Sequence, residues 1–234
     1  MRQSVGRLAL CVALSACFSG CPAEAPLRPE LSAASSSPIA LSDALEALIA
    51  EGKDSKSDRQ AAYDLVTTLP ATTAEDLFGR AAISGRLAEI KGAMALIGPD
   101  SPVSLVAEAE EYALKSRKLD PSFRRNAALR LLGSLYVLAP ANLLEGGTSE
   151  DGIEILETLV KTDPDLLQNH LRLAEAYVAL GDKDSARAPL CRVLASLQSL
   201  RGDEVKLARS LERDVGDLTC TPPSETTAPL PPGG

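Results

Sequence analysis

Apolar residues recur every three or four positions along most of this chain, which is the spacing of amphipathic α-helices. The last such segment shows it most simply, because Leu207, Leu211 and Val215 lie at i, i+4 and i+8 and share one face. Strand-like alternation is scarce, and the abundance of alanine and leucine favours helix. The pattern therefore predicts an all-α protein.

Capping residues, glycines and prolines divide this pattern into nine helical segments. Short turns join most of them, so neighbouring segments should pack antiparallel, as four helical hairpins followed by a C-terminal capping helix. We expect an antiparallel helix-hairpin stack that occupies residues 39–215. The predicted segments are 40–51, 58–69, 74–97, 102–119, 123–138, 149–162, 165–180, 183–200 and 202–215.

Two copies of one sequence pattern lie between Asn126 and Leu194. The first copy contains Leu132-Gly133, Tyr136, Gly152, Leu156 and Pro164, and the second contains Leu173-Ala174, Tyr177, Ala186 and Leu190. Small residues where two helices cross permit a close approach, and this layout is typical of the tetratricopeptide repeat. The pattern predicts a helical solenoid that binds a partner or a ligand.

An insertion interrupts the first of these copies. Leu132 and Leu173 are 41 positions apart, whereas the repeat period is about 34 residues, so about seven residues are extra. They lie in 139–147, a loop that contains Pro140, Asn142, Gly146 and Gly147. The two glycines lack the lysine and the preceding strand of a phosphate-binding loop, so we interpret them as a turn.

The two ends of the chain differ in composition from the helical region. Residues 1–16 carry two arginines and a short apolar run, which is the pattern of a secretory signal peptide rather than of a membrane span. Residues 17–38 are rich in proline, alanine and serine and predict a disordered tether. The proline-rich residues 216–234 predict a disordered tail.

The apolar run ends in Leu14-Ser15-Ala16-Cys17, which resembles the lipobox of bacterial lipoproteins. The resemblance implies that Cys17 is lipidated and becomes the first residue of the mature chain. Cys21 is the alternative, because it follows a second small-residue pair and would leave an even number of cysteines. Either anchor would hold the protein in the bacterial cell envelope, facing the periplasm. Neither cysteine precedes an aspartate, which favours the outer membrane.

The charge of the chain narrows the class of partner. There are 24 basic and 32 acidic residues, giving a net charge of −8 and a pI of about 4.8. Nucleic acids require a basic surface, and anionic lipid headgroups attract one. We therefore expect no nucleic-acid partner and attachment to the membrane only through the N-terminal lipid.

The side chains offer little catalytic chemistry. His170 is the only histidine and stands where the repeat usually has tryptophan, so we interpret it as a packing residue rather than a base or a metal ligand. We interpret Glu108, Glu110 and Glu111 as solvated acids on a helix face. We expect no enzymatic activity, no cofactor and no metal site.

Cys191 and Cys220 leave two arrangements open. They could form a disulfide in an oxidising compartment. The alternative, which the helical pattern slightly favours, is a buried Cys191 thiol and a free Cys220 in the tail.

The candidate binding surface is the inner face of the stack, which is lined by the first helix of each hairpin. Its mixture of apolar and charged positions suits a peptide, a partner helix or a small organic ligand. The alternative is that these positions only face solvent. The predicted inner-face residues are Ala127, Arg130, Ser134 and Val137 in one hairpin and Gln168, Leu171, Glu175 and Val178 in the next.

Taken with the lipobox, several motifs resemble the T component of tripartite ATP-independent periplasmic (TRAP) transporters. They are Asp120-Pro121-Ser122-Phe123, Leu132-Gly133-Ser134-Leu135-Tyr136, Ala139-Pro140, Gly146-Gly147 and Leu173-Ala174-Glu175-Ala176-Tyr177. The resemblance covers roughly residues 58–200. It implies a periplasmic lipoprotein that associates with a solute-binding protein, often as a homo-oligomer, and helps to pass a small ligand. The alternative is a lipoprotein scaffold for the assembly of an envelope complex.

Overall fold

The computed structural model describes residues 27–91, 101–140 and 143–220. Within these ranges the chain forms ten α-helices and no strand, which confirms the predicted all-α class. The helices are α1 (Pro29–Ala33), α2 (Pro38–Glu51), α3 (Lys56–Thr68), α4 (Ala74–Ala88), α5 (Pro102–Leu119), α6 (Phe123–Leu138), α7 (Ser149–Thr162), α8 (Leu167–Ala179), α9 (Lys183–Leu194) and α10 (Gly202–Val215).

Each helix from α2 onward packs against the next one in the chain, so the molecule is a stack of helical hairpins. Alternate helices also touch, because α2 packs on α4 and α6 packs on α8. Four clusters of buried apolar side chains lie between the helices. No helix in the described ranges is long and apolar enough to cross a membrane.

Local capping signals explain where several helices begin. Ser37, Ser55, Thr73, Ser101 and Thr148 each accept a backbone N–H in the first turn of the helix that follows. At Ser55 and Thr148, the side chain of an aspartate three residues later accepts the backbone N–H of the capping residue, which completes a capping box.

The close approach predicted between the helices of the first repeat copy is present. A Cβ added at Gly133 would lie 2.9 Å from Cγ of Leu156, and one added at Gly152 would lie 2.8 Å from the carbonyl oxygen of Gly133. Only glycine leaves room for this contact between α6 and α7.

Three predicted boundaries require correction. The predicted tether contains α1, whose Leu31 is fully buried in the first core cluster, so the folded domain begins before residue 39. α4 ends at Ala88 rather than at residue 97; residues 92–100 lie outside the described ranges. α9 ends at Leu194, before a short 3-10 turn at Leu197–Ser199. α6 has the predicted bounds, but the residue before it, Ser122, makes no side-chain cap and donates its hydroxyl to Asp120 Oδ1 at 2.7 Å.

The last helix returns to the first hairpin. α10 packs on α8 and α9, as a cap would, and it also contacts α2. At this junction a Cβ added at Gly202 would overlap the carbonyl oxygen of Ala50, so the two backbones nearly touch. The stack is therefore closed on itself, and its inner surface encloses a cavity.

A disulfide joins Cys191 of α9 to Cys220, with a Cα–Cα distance of 5.4 Å. The expectation of a free Cys220 is therefore wrong. The predicted tail, 216–234, is tied to the stack at this point; the two lipidation candidates, Cys17 and Cys21, lie outside the described residues.

We predict that replacing both Cys191 and Cys220 by serine lowers the free energy of unfolding by about 3–4 kcal/mol, because the bridge closes a long loop around α10. The bridged residues are separated by 29 positions. Urea unfolding followed by circular dichroism measures this change. Wild-type protein treated with a reducing agent should have the same free energy of unfolding as the double variant. An unfolding curve of the wild type that reduction leaves unchanged would contradict the prediction.

Candidate ligand-binding cavity

The closed stack surrounds a cavity of about 980 Å³. Its wall is formed by α2, α4, α5, α6 and α8, by the start of α10, and by part of the insertion loop. The volume lies at the upper end of the range for small-molecule sites in proteins. The cavity is therefore large enough for an organic ligand.

One side of the cavity is apolar. It is built from α4, α5, α6 and the insertion loop, which contribute Phe78, Val103, Val106, Leu131, Leu135 and Leu143 among others. Pro140 also lies on this wall, so one end of the predicted insertion reaches the cavity. Gly146 and Gly147 do not line it, and Asn142 lies outside the described residues.

A cluster of ion pairs also lines the cavity. Glu46 of α2 accepts hydrogen bonds from Nε and Nη2 of Arg86 at 2.6 and 2.9 Å, and it pairs with Arg201 at 2.7 Å. Burial would raise the pKa of Glu46, but the bonds and charges of the two arginines outweigh it and lower that pKa to about 2. This cluster joins α2, α4 and the start of α10, and so closes the stack.

Arg130 differs from the other arginines of the wall. Arg86, Arg124, Arg172 and Arg201 each pair with a carboxylate, whereas no carboxylate of the described residues pairs with Arg130. Its Nη1 donates only to the carbonyl of Arg125 and to Asn169 Oδ1, both at 3.1 Å. Burial and then the charge of Arg172 lower the pKa of Arg130 to about 10.

Most of the predicted inner-face residues lie on this wall. Arg130, Ser134, Gln168 and Glu175 line the cavity, and so does Ala127. Gln168 Nε2 donates to Glu204 at 3.2 Å, and Glu175 accepts from Arg172 at 2.7 Å.

Leu171 and Val178 do not face the cavity, contrary to the prediction. Leu171 is fully buried in the core between α8, α9 and α10, and Val178 packs against the same core. Val137 is likewise buried, among residues of α7 and α8. The cavity face of α8 is instead Gln168, Arg172 and Glu175, at i, i+4 and i+7. The run of polar residues at this helical spacing could have identified Arg172, which the sequence analysis missed.

The insertion loop is held by a buried acid that the sequence analysis misinterpreted. Glu110 of α5 accepts the backbone N–H groups of Glu145 at 3.1 Å and Gly146 at 2.7 Å. Burial and then the nearby Glu110 raise the pKa of the Tyr136 hydroxyl to about 12. Glu110 therefore positions the loop whose other end lines the cavity.

Glu108 is not a solvated acid either, because it accepts from Tyr63 Oη at 2.6 Å and pairs with Arg80 at 2.7 Å. Only Glu111 agrees with the prediction, since it is exposed and pairs with Lys115. A helical pattern marks all three positions as polar, but tertiary contacts decide which of them are buried.

His170 packs as the sequence predicted. It is buried, and its Nε2 donates to the carbonyl of Pro164 at 2.8 Å. It does not line the cavity. In the described ranges no three His, Cys, Asp or Glu side chains are grouped so that they could hold a metal ion.

The fold and the cavity together define this protein as an all-α hairpin stack whose last helix contacts the first hairpin, around a partly open site with a largely apolar wall and several charged side chains. Comparison of the chain with known family models and with characterised proteins gave no match.

We predict that Glu46→Gln lowers the free energy of unfolding at pH 7 by at most about 3 kcal/mol, because the pKa of Glu46 is depressed on folding. A depressed pKa stabilises the fold above the unfolded-state value, here 4.5, and this stabilisation is lost as the pH falls towards 2. The difference between variant and wild type should therefore be full at pH 6–7 and absent near pH 2.

Urea unfolding at several pH values measures this difference. Glu111→Gln, at an exposed helix position, is the matched control and should change the stability little at any pH. A Glu46→Gln variant as stable as wild type at pH 7 would contradict the role of the cluster.

Proposed function

We propose that this protein is a non-catalytic binding protein that holds a small amphipathic organic anion in its central cavity. The observation that carries the proposal is the position of Arg130, a cation on the wall of a largely apolar cavity that pairs with no carboxylate in the described part of the chain. The apolar wall would cover the body of the ligand, and Arg130 would receive its acidic group.

Electrostatics supports an anion over a neutral ligand. Removing a guanidinium from water is costly unless an opposite charge or several acceptors replace the water. Arg130 has two acceptors, and Arg172, which is paired with Glu175, adds positive charge beside it, whereas the charges of Glu204 and Asp163 act in the opposite direction. A carboxylate, sulfonate or phosphate group would lower the energy of both arginines, and guanidinium groups bind such anions in a bidentate geometry.

The absence of catalysis is also part of the proposal. General acid–base catalysis needs a titratable group aimed at the reacting atoms. His170 is engaged with a backbone carbonyl away from the cavity, and Glu46 and Glu175 are held by arginines. The groups on the wall are arranged to recognise a ligand.

The cellular setting that we propose follows from the sequence. The lipobox-like motif favours a lipid anchor at Cys17 or Cys21, in the bacterial envelope and facing the periplasm, and the disulfide suits an oxidising compartment. The resemblance to TRAP T components favours a solute-binding protein as the partner that delivers or receives the ligand, and a homo-oligomer.

We expect the mature N-terminus to carry a lipid on one of these cysteines and the protein to co-purify with a periplasmic solute-binding protein of its host. Mass spectrometry of the N-terminal peptide and of the co-purified proteins measures both. An unmodified N-terminus, or a chain that co-purifies with no such protein, would contradict this setting without affecting the ligand site.

A scaffold function is the second candidate, and a surface groove between α7 and α8 favours it. Ile153, Tyr177 and Leu180 are its apolar lining residues, and Leu180 is 49% exposed. Glu150 and Glu154 lie at its edge. Such a groove suits an apolar side chain of a partner protein.

We predict that Arg130→Met weakens binding of 1-anilinonaphthalene-8-sulfonate about tenfold or more, because the loss of a charge-assisted bond to a sulfonate costs about 1.5–3 kcal/mol. Binding of the uncharged analogue N-phenyl-1-naphthylamine should change little, since it fills only the apolar side. Fluorescence titration measures both affinities.

Arg209→Met removes an exposed arginine outside the cavity and should leave both affinities unchanged. Equal weakening of the two probes by Arg130→Met would mean that the arginine supports the fold rather than an anion. Failure of wild-type protein to bind the sulfonate would overturn the proposed function.

A further inference from the structure

The start of α6 has an unusual backbone. Arg124, Arg125 and Asn126 are left-handed, with φ of 45°, 55° and 63°. Elsewhere in the described residues positive φ occurs only at Gly52, Gly181 and Gly216. Side chains disfavour this conformation because Cβ approaches the following carbonyl oxygen, so three such residues in succession must be held by other contacts.

Three polar contacts hold this left-handed turn, which we define as residues 124–126. Arg124 makes two hydrogen bonds to the carboxylate of Asp43 on α2, at 2.6 and 2.7 Å. Arg125 Nε donates to Asp163 at 2.8 Å. The carbonyl of Arg125 accepts from Arg130 Nη1 at 3.1 Å.

Two of these contacts belong to the cavity. Arg124 and Asp43 both line it, yet their side chains are 44% and 50% exposed, so their ion pair lies at the solvent-exposed edge of the cavity, which we call its mouth. Arg130 is the cation to which the proposed function assigns the ligand's acidic group. The left-handed turn therefore connects the mouth of the cavity to its binding group.

We infer that anion binding at Arg130 is coupled to the opening of the Asp43–Arg124 ion pair through the left-handed turn. An anion that engages Nη1 of Arg130 competes with the Arg125 carbonyl for that donor. In a right-handed helix that carbonyl accepts the backbone N–H of residue 129 and needs no side chain. Rewinding the turn to a right-handed one moves Arg124 away from Asp43 and opens the mouth. This coupling rests on the proposed function.

Thermodynamic linkage makes the coupling measurable. A ligand that favours the open state binds more tightly to any variant in which that state is already more populated. Asp43→Asn weakens the ion pair and favours the open state. At position 126, alanine favours a right-handed helix, whereas glycine accepts the left-handed turn without strain. Two variants of one residue should thus change the affinity in opposite directions.

The test is a fluorescence titration of the full chain with 1-anilinonaphthalene-8-sulfonate. Asn126→Ala and Asp43→Asn should each bind the probe several-fold more tightly than wild type. Asn126→Gly should bind it about fivefold more weakly than Asn126→Ala, which corresponds to the difference in helix preference of the two residues. Affinities of the two position-126 variants that agree within twofold, or the reverse order, would overturn the coupling.

Thr158 of α7 offers a matched control because it is exposed and lies outside the cavity wall. Thr158→Ala and Thr158→Gly differ in helix preference by the same amount as alanine and glycine do at position 126. The two variants should bind the probe equally. A dependence on alanine or glycine at this site as well would mean that general stability, and not the left-handed turn, controls the affinity.

The backbone itself provides a second measurement. NMR chemical shifts of Arg124, Arg125 and Asn126 distinguish left-handed from right-handed backbone. They should move towards helical values when the probe saturates wild type, and in Asn126→Ala without any probe. A turn that stays left-handed while the probe binds through Arg130 overturns only the coupling. No binding to wild type overturns the proposed function, and the probe-free comparison of Asn126→Ala with Asn126→Gly still decides whether the turn controls the ion pair.

Discussion

The ion cluster around Glu46 is the contact on which the shape of this protein depends. A stack of helical hairpins without contact between its ends is an open superhelix whose inner surface faces water. Here Glu46 of α2 holds Arg86 of α4 and Arg201 at the start of α10. A largely buried charge is tolerated only when its partners satisfy it. Because this cluster is satisfied, the last helix stays on the first hairpin and the inner surface becomes a cavity.

This closure accounts for the mixed apolar and charged character of the cavity. Side chains between adjacent helices bury apolar surface, whereas the helices that close the stack meet through ion pairs. The cavity therefore combines apolar side chains with ion pairs that join distant parts of the chain. Arg130 pairs with no carboxylate of the described residues, and its contact with Arg125 ties the binding group to the left-handed turn at the mouth.

Whether the sequence predicts an interaction depends on how far apart the two residues lie in the chain. Caps such as Ser101 and Thr148 bond to residues three positions away, so a local sequence pattern can identify them. Arg130, Ser134, Gln168 and Glu175 were placed on the inner face by helical spacing, and the structure puts them on the cavity wall. Leu171 and Val178 were misplaced because a small error in helix rotation exchanges the cavity face for the core face.

The sequence by itself determined the all-α class, the hairpin order and the close helix crossing at Gly133 and Gly152, because these depend on periodicity, caps and small residues close in the chain. Only the tertiary structure decided that the stack closes, that Glu110 is buried against the insertion loop, that Cys191 pairs with Cys220 and that Arg130 contacts Asn169. Each of these joins residues far apart in the chain. Their distance is determined by how the helices pack, and a local pattern carries no information about it.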